Sequence, residues 1–131
     1  MSYVEIKDVV KEYKTGEITI KAADGMNFSF EKGEFVVIVG PSGAGKTTVL
    51  NILGGMDKLT SGNVIVDGKD ISRYSNRELT TYRRHDIGFV FQFYNLVQNL
   101  TALENVELAG QICKNPLDAK KFLKALDLRK E

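Results

Sequence analysis

The stretch GPSGAGKTT, Gly40 to Thr48, follows the apolar run Phe35-Val36-Val37-Ile38-Val39 and leads into Val49-Leu50-Asn51-Ile52-Leu53. The pattern G-x-x-x-x-G-K-[ST] cradles phosphate when a strand enters it and a helix leaves it. Both flanks have the required character. A run apolar at every position suits a strand covered on both faces, as parallel strands in α/β proteins are. A helix from about Gly45 to Leu53 would stop at Gly54-Gly55, where glycine suits a left-handed C-cap. With average residue usage, a chance match in a chain of this size arises in about half a per cent of cases. The strand–loop–helix setting lowers that further. The stretch therefore points to an α/β fold organised around a phosphate-binding loop, and not to an accidental glycine-rich turn.

The spacing has a chemical reason. Glycines at 40, 43 and 45 let the backbone pass close to an anion with no Cβ in the way. Amides from Gly43 to Thr47 can then point inward at the positive end of the following helix, forming a nest for anionic oxygens. Lys46 would reach the β- and γ-phosphates of a nucleotide, and the Thr47 hydroxyl would ligate Mg²⁺. Thr48 adds a contact through its amide or hydroxyl. The candidate binding set is thus Ser42, Gly43, Ala44, Gly45, Lys46, Thr47 and Thr48.

Bulk properties exclude several classes. The 131 residues suffice for one domain with its own core, and 43% hydrophobic with 27% charged residues is ordinary for a globular protein. A formal net charge of +1 leaves no electrostatic footprint for nucleic acid. No apolar run approaches the roughly 20 residues of a bilayer span, and MSYVEIKDVVKEYK has no apolar signal region. Cys113 is the single cysteine, so no internal disulfide forms and a reducing cytosol fits. It reads as a filler thiol on a helix.

Along the chain, Val4-Glu5-Ile6, Ile18-Thr19-Ile20 and Met26-Asn27-Phe28-Ser29-Phe30 alternate as strands do. Thr15-Gly16, Asp24-Gly25 and Lys32-Gly33 punctuate them. Val64-Ile65-Val66 followed by Asp67-Gly68 reads as a hairpin, Glu78 to Arg84 as a short helix, and Ile87-Gly88-Phe89-Val90-Phe91 as a second buried strand. Thr101, with Glu104 three residues on, forms a capping box for a helix to about Gly110. Asn115-Pro116 marks another helix start, with Phe122, Leu123 and Leu126 on one face.

Further stretches narrow the reading. VKEYK (Val10–Lys14), TSGNVIVDGKDI, FVFQFYNL (Phe89–Leu96) and LTALENVELA (Leu100–Ala109), with GEFVVIVGPSGAGKTTVLNILGG, resemble the ATP-binding subunits of ABC transporters. The likeness is nearest to the subfamily of lipoprotein release and MacB-type export, and it runs from Tyr3 to about Leu128. It implies a P-loop NTPase fold of the ABC ATPase type, with an N-terminal antiparallel β subdomain, in which residues 1–92 hold the β subdomain and P-loop core. Residues 93–131 would then hold the Q-loop and the start of a helical subdomain. By the same resemblance Tyr13 stacks on the adenine ring, where a bare reading sees an edge-strand tyrosine. Gln92 matches the Q-loop glutamine that touches Mg²⁺ and the attacking water, so Lys46 and Gln92 are the catalytic candidates and Thr47 and Gln92 the metal ligands. ATP and Mg²⁺ are the implied cofactors. The implied partners are a membrane-spanning permease and a second nucleotide-binding domain, on the inner face of the cell membrane.

Phe93-Tyr94-Asn95-Leu96-Val97 is apolar for a loop, and either a core position or a docking face against the permease fits it. His85, the single histidine, precedes IGFVFQ and does not match the family's switch histidine; it reads as a surface residue. The 131 residues contain no LSGGQ-type signature and no apolar strand ending in Asp-Glu. The chain accordingly resembles the N-terminal part of such a subunit, expected to bind without hydrolysing on its own and to associate through unpaired sheet edges. A cell-division ABC-like ATPase and a docking module without catalysis are the alternatives. N-K-x-D and D-x-x-G, which a GTPase would show, do not occur.

Overall fold

The computed structural model describes residues 2–93 and 95–126. They fall into two compact units, Met1–Arg83 and Arg84–Glu131.

In the first unit, β1 (Val4–Thr15), β2 (Ile18–Phe30), β3 (Ser61–Val66) and β4 (Lys69–Asp70) form one sheet in the order β2-β1-β3-β4. Every pairing is antiparallel. The alternating segments of the sequence are parts of two long strands joined at Gly16, which takes φ +63. Asp24-Gly25 ends no strand. Gly25, with φ +69, is the extra residue between Asp24, opposite Val10, and Met26, opposite Val9. Asp8, with φ +48, is a second insertion, and its amide donates to Asn27 Oδ1 at 3.0 Å while Asn27 Nδ2 donates to Asp8 Oδ1 at 2.9 Å. Such bulges sharpen the twist of a strand pair. Asp67 and Gly68 both take positive φ, the geometry of a two-residue hairpin turn, so the expected β3–β4 hairpin is present.

The core of this unit comprises Val4, Ile6, Val9, Ala23 and Val64 from the sheet, with Ile71 just beyond it. Val49 and Ile52 are the buried residues of α1 (Lys46–Leu53), and Leu79 and Tyr82 those of α2 (Asn76–His85). Burying each such aliphatic side chain is worth about 1.5–3 kcal/mol. Ser75 and Glu78 cap α2 reciprocally, each backbone amide reaching the other's side chain at 3.2 Å. Helix α1 ends as its glycines require. Gly55 takes φ +72, its amide reaches Ile52 O at 3.1 Å, and the Met56 amide reaches Asn51 O at 2.8 Å. Tyr82 Oη and Arg83 Nη1 donate to the carbonyls of Leu53 and Gly55, both at 2.6 Å, so α2 satisfies the acceptors that α1 leaves open.

Two expected strands do not form. Phe35–Val39 and Ile87–Phe91 enter no ladder among the described residues. Phe35 is 93% exposed, Val39 83% and Val90 fully exposed. A strand exists only where a neighbour takes its backbone hydrogen bonds. These runs have the composition for double coverage, and no partner among the described residues supplies it.

In the second unit, α3 (Ala102–Gly110) starts at the expected capping box: Glu104 N donates to Thr101 Oγ1 and Thr101 N to Glu104 Oε1, both at 3.2 Å. Asn105 ties the preceding loop down, accepting from Val97 N at 2.8 Å and donating to Leu100 O at 3.2 Å. The helix expected at Asn115-Pro116 begins later. Asp118 caps α4 (Ala119–Ala125) instead, accepting from Lys121 N at 3.3 Å and so satisfying one of the amides that a helix start leaves open. Leu123 alone of the expected face is buried, while Phe122 and Leu126 are exposed. Cys113 lies just past the end of α3 and is exposed. His85, at the end of α2, is exposed as expected. Tyr94 and Leu128 lie outside the described residues.

Candidate functional site

The loop from Gly40 to Gly45 is shaped by its glycines at two points. Gly43 takes φ +81 and faces open space, so conformation alone demands glycine there. Gly45 takes φ +90, and a Cβ on it would collide with Ala22 O and come 3.2 Å from Met26 Cε. The loop is therefore seated against β2, and only glycine fits the seat. One internal hydrogen bond, Ala44 N to Pro41 O at 3.2 Å, closes its turn.

Gly45 is also the N-cap of α1, and having no side chain it cannot cap the helix. The first-turn amides have no partner inside the helix, and no acidic residue lies in that turn. The positive end of α1 is thus uncompensated where the loop opens, which favours an anion. Lys46 Nζ donates to the carbonyls of Gly40 and Pro41, the latter at 2.7 Å. This folds the ammonium back over the loop. Ser42, Ala44 and Thr47 are exposed and Thr48 is half-buried. The P-loop candidates accordingly share one continuous turn.

Tyr13 lies far along β1, opposite Ile20 of β2 and beyond Val10, the last residue of β1 to pair with β3. Its hydroxyl donates to Asp57 Oδ2 at 2.5 Å. Lys11 donates to Asp57 Oδ1 at 2.9 Å, and its Nζ stands 4.9 Å from the Tyr13 ring centroid. The hydrogen bond to Asp57 raises the phenol above its usual pKa, helped by burial and by the carboxylate charge. Burial pushes the Asp57 carboxyl up, but the Tyr13 hydroxyl, Lys11 and the Lys58 amide outweigh it and hold the carboxyl below the usual range. Gln92 belongs to the second unit, where it is exposed, outside any helix or strand. The neighbouring Phe93, Leu96 and Val97 are also exposed, so these three residues of the apolar segment after Gln92 are not core.

Sequence reading missed Lys11 and Asp57. Lys11 had a signal, since residues two apart on a strand share a face. Asp57 had none, because it is 44 residues from Tyr13 and follows a helix stop.

Among the described residues no cluster of three His, Cys, Asp or Glu could hold a metal, and no helix is long and apolar enough to cross a membrane.

The family profile described as "ABC transporter" matches residues 23–131. The uncharacterized ABC transporter ATP-binding protein MJ0796 of Methanocaldococcus jannaschii is 51% identical over 105 residues, 80% of this chain and 45% of that protein. The lipoprotein-releasing system ATP-binding protein LolD of Geobacter metallireducens is 44% identical over 105 residues, 80% of this chain and 47% of its own length. The macrolide export ATP-binding/permease protein MacB of Hyphomonas neptunium is 43% identical over 105 residues, 80% of this chain and 16% of that protein. The solved dimeric, post-hydrolysis structure of the MJ0796 cassette, bound to ADP and Pi, matches with a TM-score of 0.83 at 45% identity, covering 95% of this chain and 56% of that one. The chain thus spans less than half the length of these curated relatives. The loop at the head of α1, the antiparallel sheet beside it and these likenesses agree: the chain is an α/β P-loop protein of the ABC ATPase type and belongs to the ABC transporter family.

Proposed function

We propose that the chain supplies the ATP-binding part of an ABC-type ATPase, which couples ATP binding and hydrolysis to export or lipoprotein release through a membrane-spanning permease. The observation that carries this is the uncapped, acid-free start of α1 beneath a loop with glycine at both positions of positive φ, Gly43 and Gly45. Such a cradle fits a polyphosphate: its amides meet anionic oxygens without a Cβ between them. In this reading the amides from Gly43 to Thr47, with Ser42 and Ala44 on the loop, hold the phosphates. Lys46 turns from the Gly40 and Pro41 carbonyls to the β- and γ-phosphates, and Thr48 adds a contact.

Mg²⁺ characteristically takes one or two protein ligands and completes its shell with phosphate oxygens and water. One exposed hydroxyl, Thr47, therefore suffices on this unit, with Gln92 as the second ligand and as the residue that touches the attacking water. Bound Mg²⁺ would neutralise charge developing on the phosphates. Tyr13 offers its ring to the adenine. Residues 1–92 make up the nucleotide-binding core in this reading, and 93–131 the start of the helical subdomain. The exposed Phe93, Leu96 and Val97 face the permease. A second nucleotide-binding domain completes the assembly at the cytoplasmic face of the membrane. The names of the LolD and MacB relatives and the dimer of the MJ0796 cassette support this assignment.

The test is titration of the 131-residue chain with a fluorescent ATP analogue, with and without Mg²⁺, beside Lys46→Ala. Losing a charge-assisted contact worth about 1.5–3 kcal/mol should weaken binding roughly 10- to 100-fold. Equal affinity of the two proteins would refute the reading. Phosphate release from the same samples reads turnover separately from capture.

A further inference from the structure

We propose that Asp57 and Lys11 are positioning residues for the Tyr13 ring, holding it by its hydroxyl and by one face so that the other face is presented to an adenine base. The inference rests on the reading of Tyr13 as the base-stacking residue.

Tyr13 sits where the sheet has become a two-stranded ribbon. β3 leaves β1 after the pair Val10–Ser61, and beyond it β1 is paired on one side only, with β2. A tyrosine on such a ribbon would ordinarily sample several rotamers. Here the loop that follows α1 takes over the open edge. Thr60 N donates to Val10 O and Glu12 N donates to Thr60 Oγ1, both at 2.8 Å. Lys11 reaches the Lys58 carbonyl at 2.5 Å. The loop thereby brings Asp57 to the end of the Tyr13 ring, where its two carboxylate oxygens serve different donors. Oδ2 accepts from Tyr13 Oη at 2.5 Å, and Oδ1 from Lys11 at 2.9 Å and from the Lys58 amide at 2.8 Å.

The ring is held from a second direction as well. The Lys11 ammonium lies over it at 4.9 Å from the centroid, with only 13% of the Lys11 side chain exposed. Tyr13 itself remains 43% exposed. With one face under a cation and the hydroxyl fixed, the opposite face is the surface left for a flat ligand. Asp57 is also tied to the P-loop helix, for its amide donates to Asn51 O at 3.2 Å within the stop of α1. The helix whose first turn faces the phosphates therefore anchors, through the loop at its far end, the ring that meets the base.

Fixing the ring in advance spares a binding partner the cost of ordering it, which for one side chain corresponds to roughly two- to tenfold in affinity. The experiment is calorimetric titration of the 131-residue chain with ATP and, separately, with inorganic tripolyphosphate, which has no base to stack. The proteins are wild type, Tyr13→Ala, Tyr13→Phe, Asp57→Ala and Tyr13→Ala/Asp57→Ala. Tyr13→Phe and Asp57→Ala should each weaken ATP by about two- to tenfold and leave tripolyphosphate unchanged. The double variant should bind ATP no more weakly than Tyr13→Ala alone, since Asp57 acts through the ring. Tyr13→Phe keeps the ring and all backbone contacts, so it decides the matter should Asp57→Ala fold poorly. Wild-type ATP affinity in Tyr13→Phe, a parallel loss for tripolyphosphate, or full additivity in the double variant would each overturn the proposal while leaving the stacking role of Tyr13 standing. Unchanged ATP binding in Tyr13→Ala, or a wild type that binds neither ligand, removes the stacking reading and this inference with it.

Discussion

Two short apolar runs in the first unit meet opposite fates. Val64-Ile65-Val66 lies in β3 between β1 and β4, and Val64 is fully buried. Phe35-Val36-Val37-Ile38-Val39 enters no ladder, and its two ends are 93% and 83% exposed. Both runs are rich in β-branched residues, and local propensity favours a strand in each. The difference lies in what accepts their hydrogen bonds. β3 is returned to β4 by a two-residue turn and is met by β1, whereas nothing among the described residues pairs with 35–39. Apolar composition states how much coverage a segment can use; pairing decides whether it receives any.

The comparison predicts unequal mutational costs. Ile6, 2% exposed in β1 opposite Val64, stands for the paired region. Ile6→Ala should cost about 2–5 kcal/mol in urea unfolding. A cost below about 0.5 kcal/mol would show that the sheet is no better packed than the unpaired run. Gly45→Ala comes next, forcing a Cβ onto a backbone at φ +90 and against Ala22 O. A left-handed non-glycine residue costs about 1–3 kcal/mol, before the contact is counted. Circular-dichroism melts should show that loss, and nucleotide affinity should fall with it.

A third effect depends on pH. Asp57 titrates below the usual carboxylate range, so the stability it contributes is fully present above the unfolded-state pKa of about 3.9 and is lost as pH falls through the lower folded value. Wild type and Asp57→Asn should therefore differ in melting temperature by a constant amount above about pH 5 and converge in stronger acid. A gap that stays constant down to pH 2 would mean that the carboxylate charge contributes nothing. The smallest expected effect belongs to the unpaired run. Val39→Ala, at an 83% exposed position, should stay within about 0.5 kcal/mol of wild type. A loss comparable to that of Ile6→Ala would break the comparison, because it would place Val39 in a packed environment.

Legibility followed the range of the interaction. The Asp67-Gly68 turn, the Gly54-Gly55 stop of α1 and the Thr101–Glu104 capping box each complete themselves within a few residues, and each is present. Asn115-Pro116 misled because Asp118, three residues on, offers an N-cap of equal quality, and local pattern does not choose between the two. Asp24-Gly25 read as a turn because a glycine of positive φ can end a strand or bulge one, and only the opposing strand distinguishes the two. The alternating segments were visible as strands, but not that they fuse into strands of 12 and 13 residues.

The sequence by itself determined the glycine loop and the helix start behind it, since its glycines and its lysine act within nine consecutive residues, and that loop together with VKEYK, FVFQFYNL and LTALENVELA marked the family. Tertiary structure alone decided which apolar runs are strands and what holds Tyr13. Hydrogen-bond partners in a sheet, and a carboxylate 44 residues distant from the ring it fixes, are chosen by how the chain returns on itself. No local pattern of residues encodes that return, because the energy of each contact appears only once both ends have been brought together.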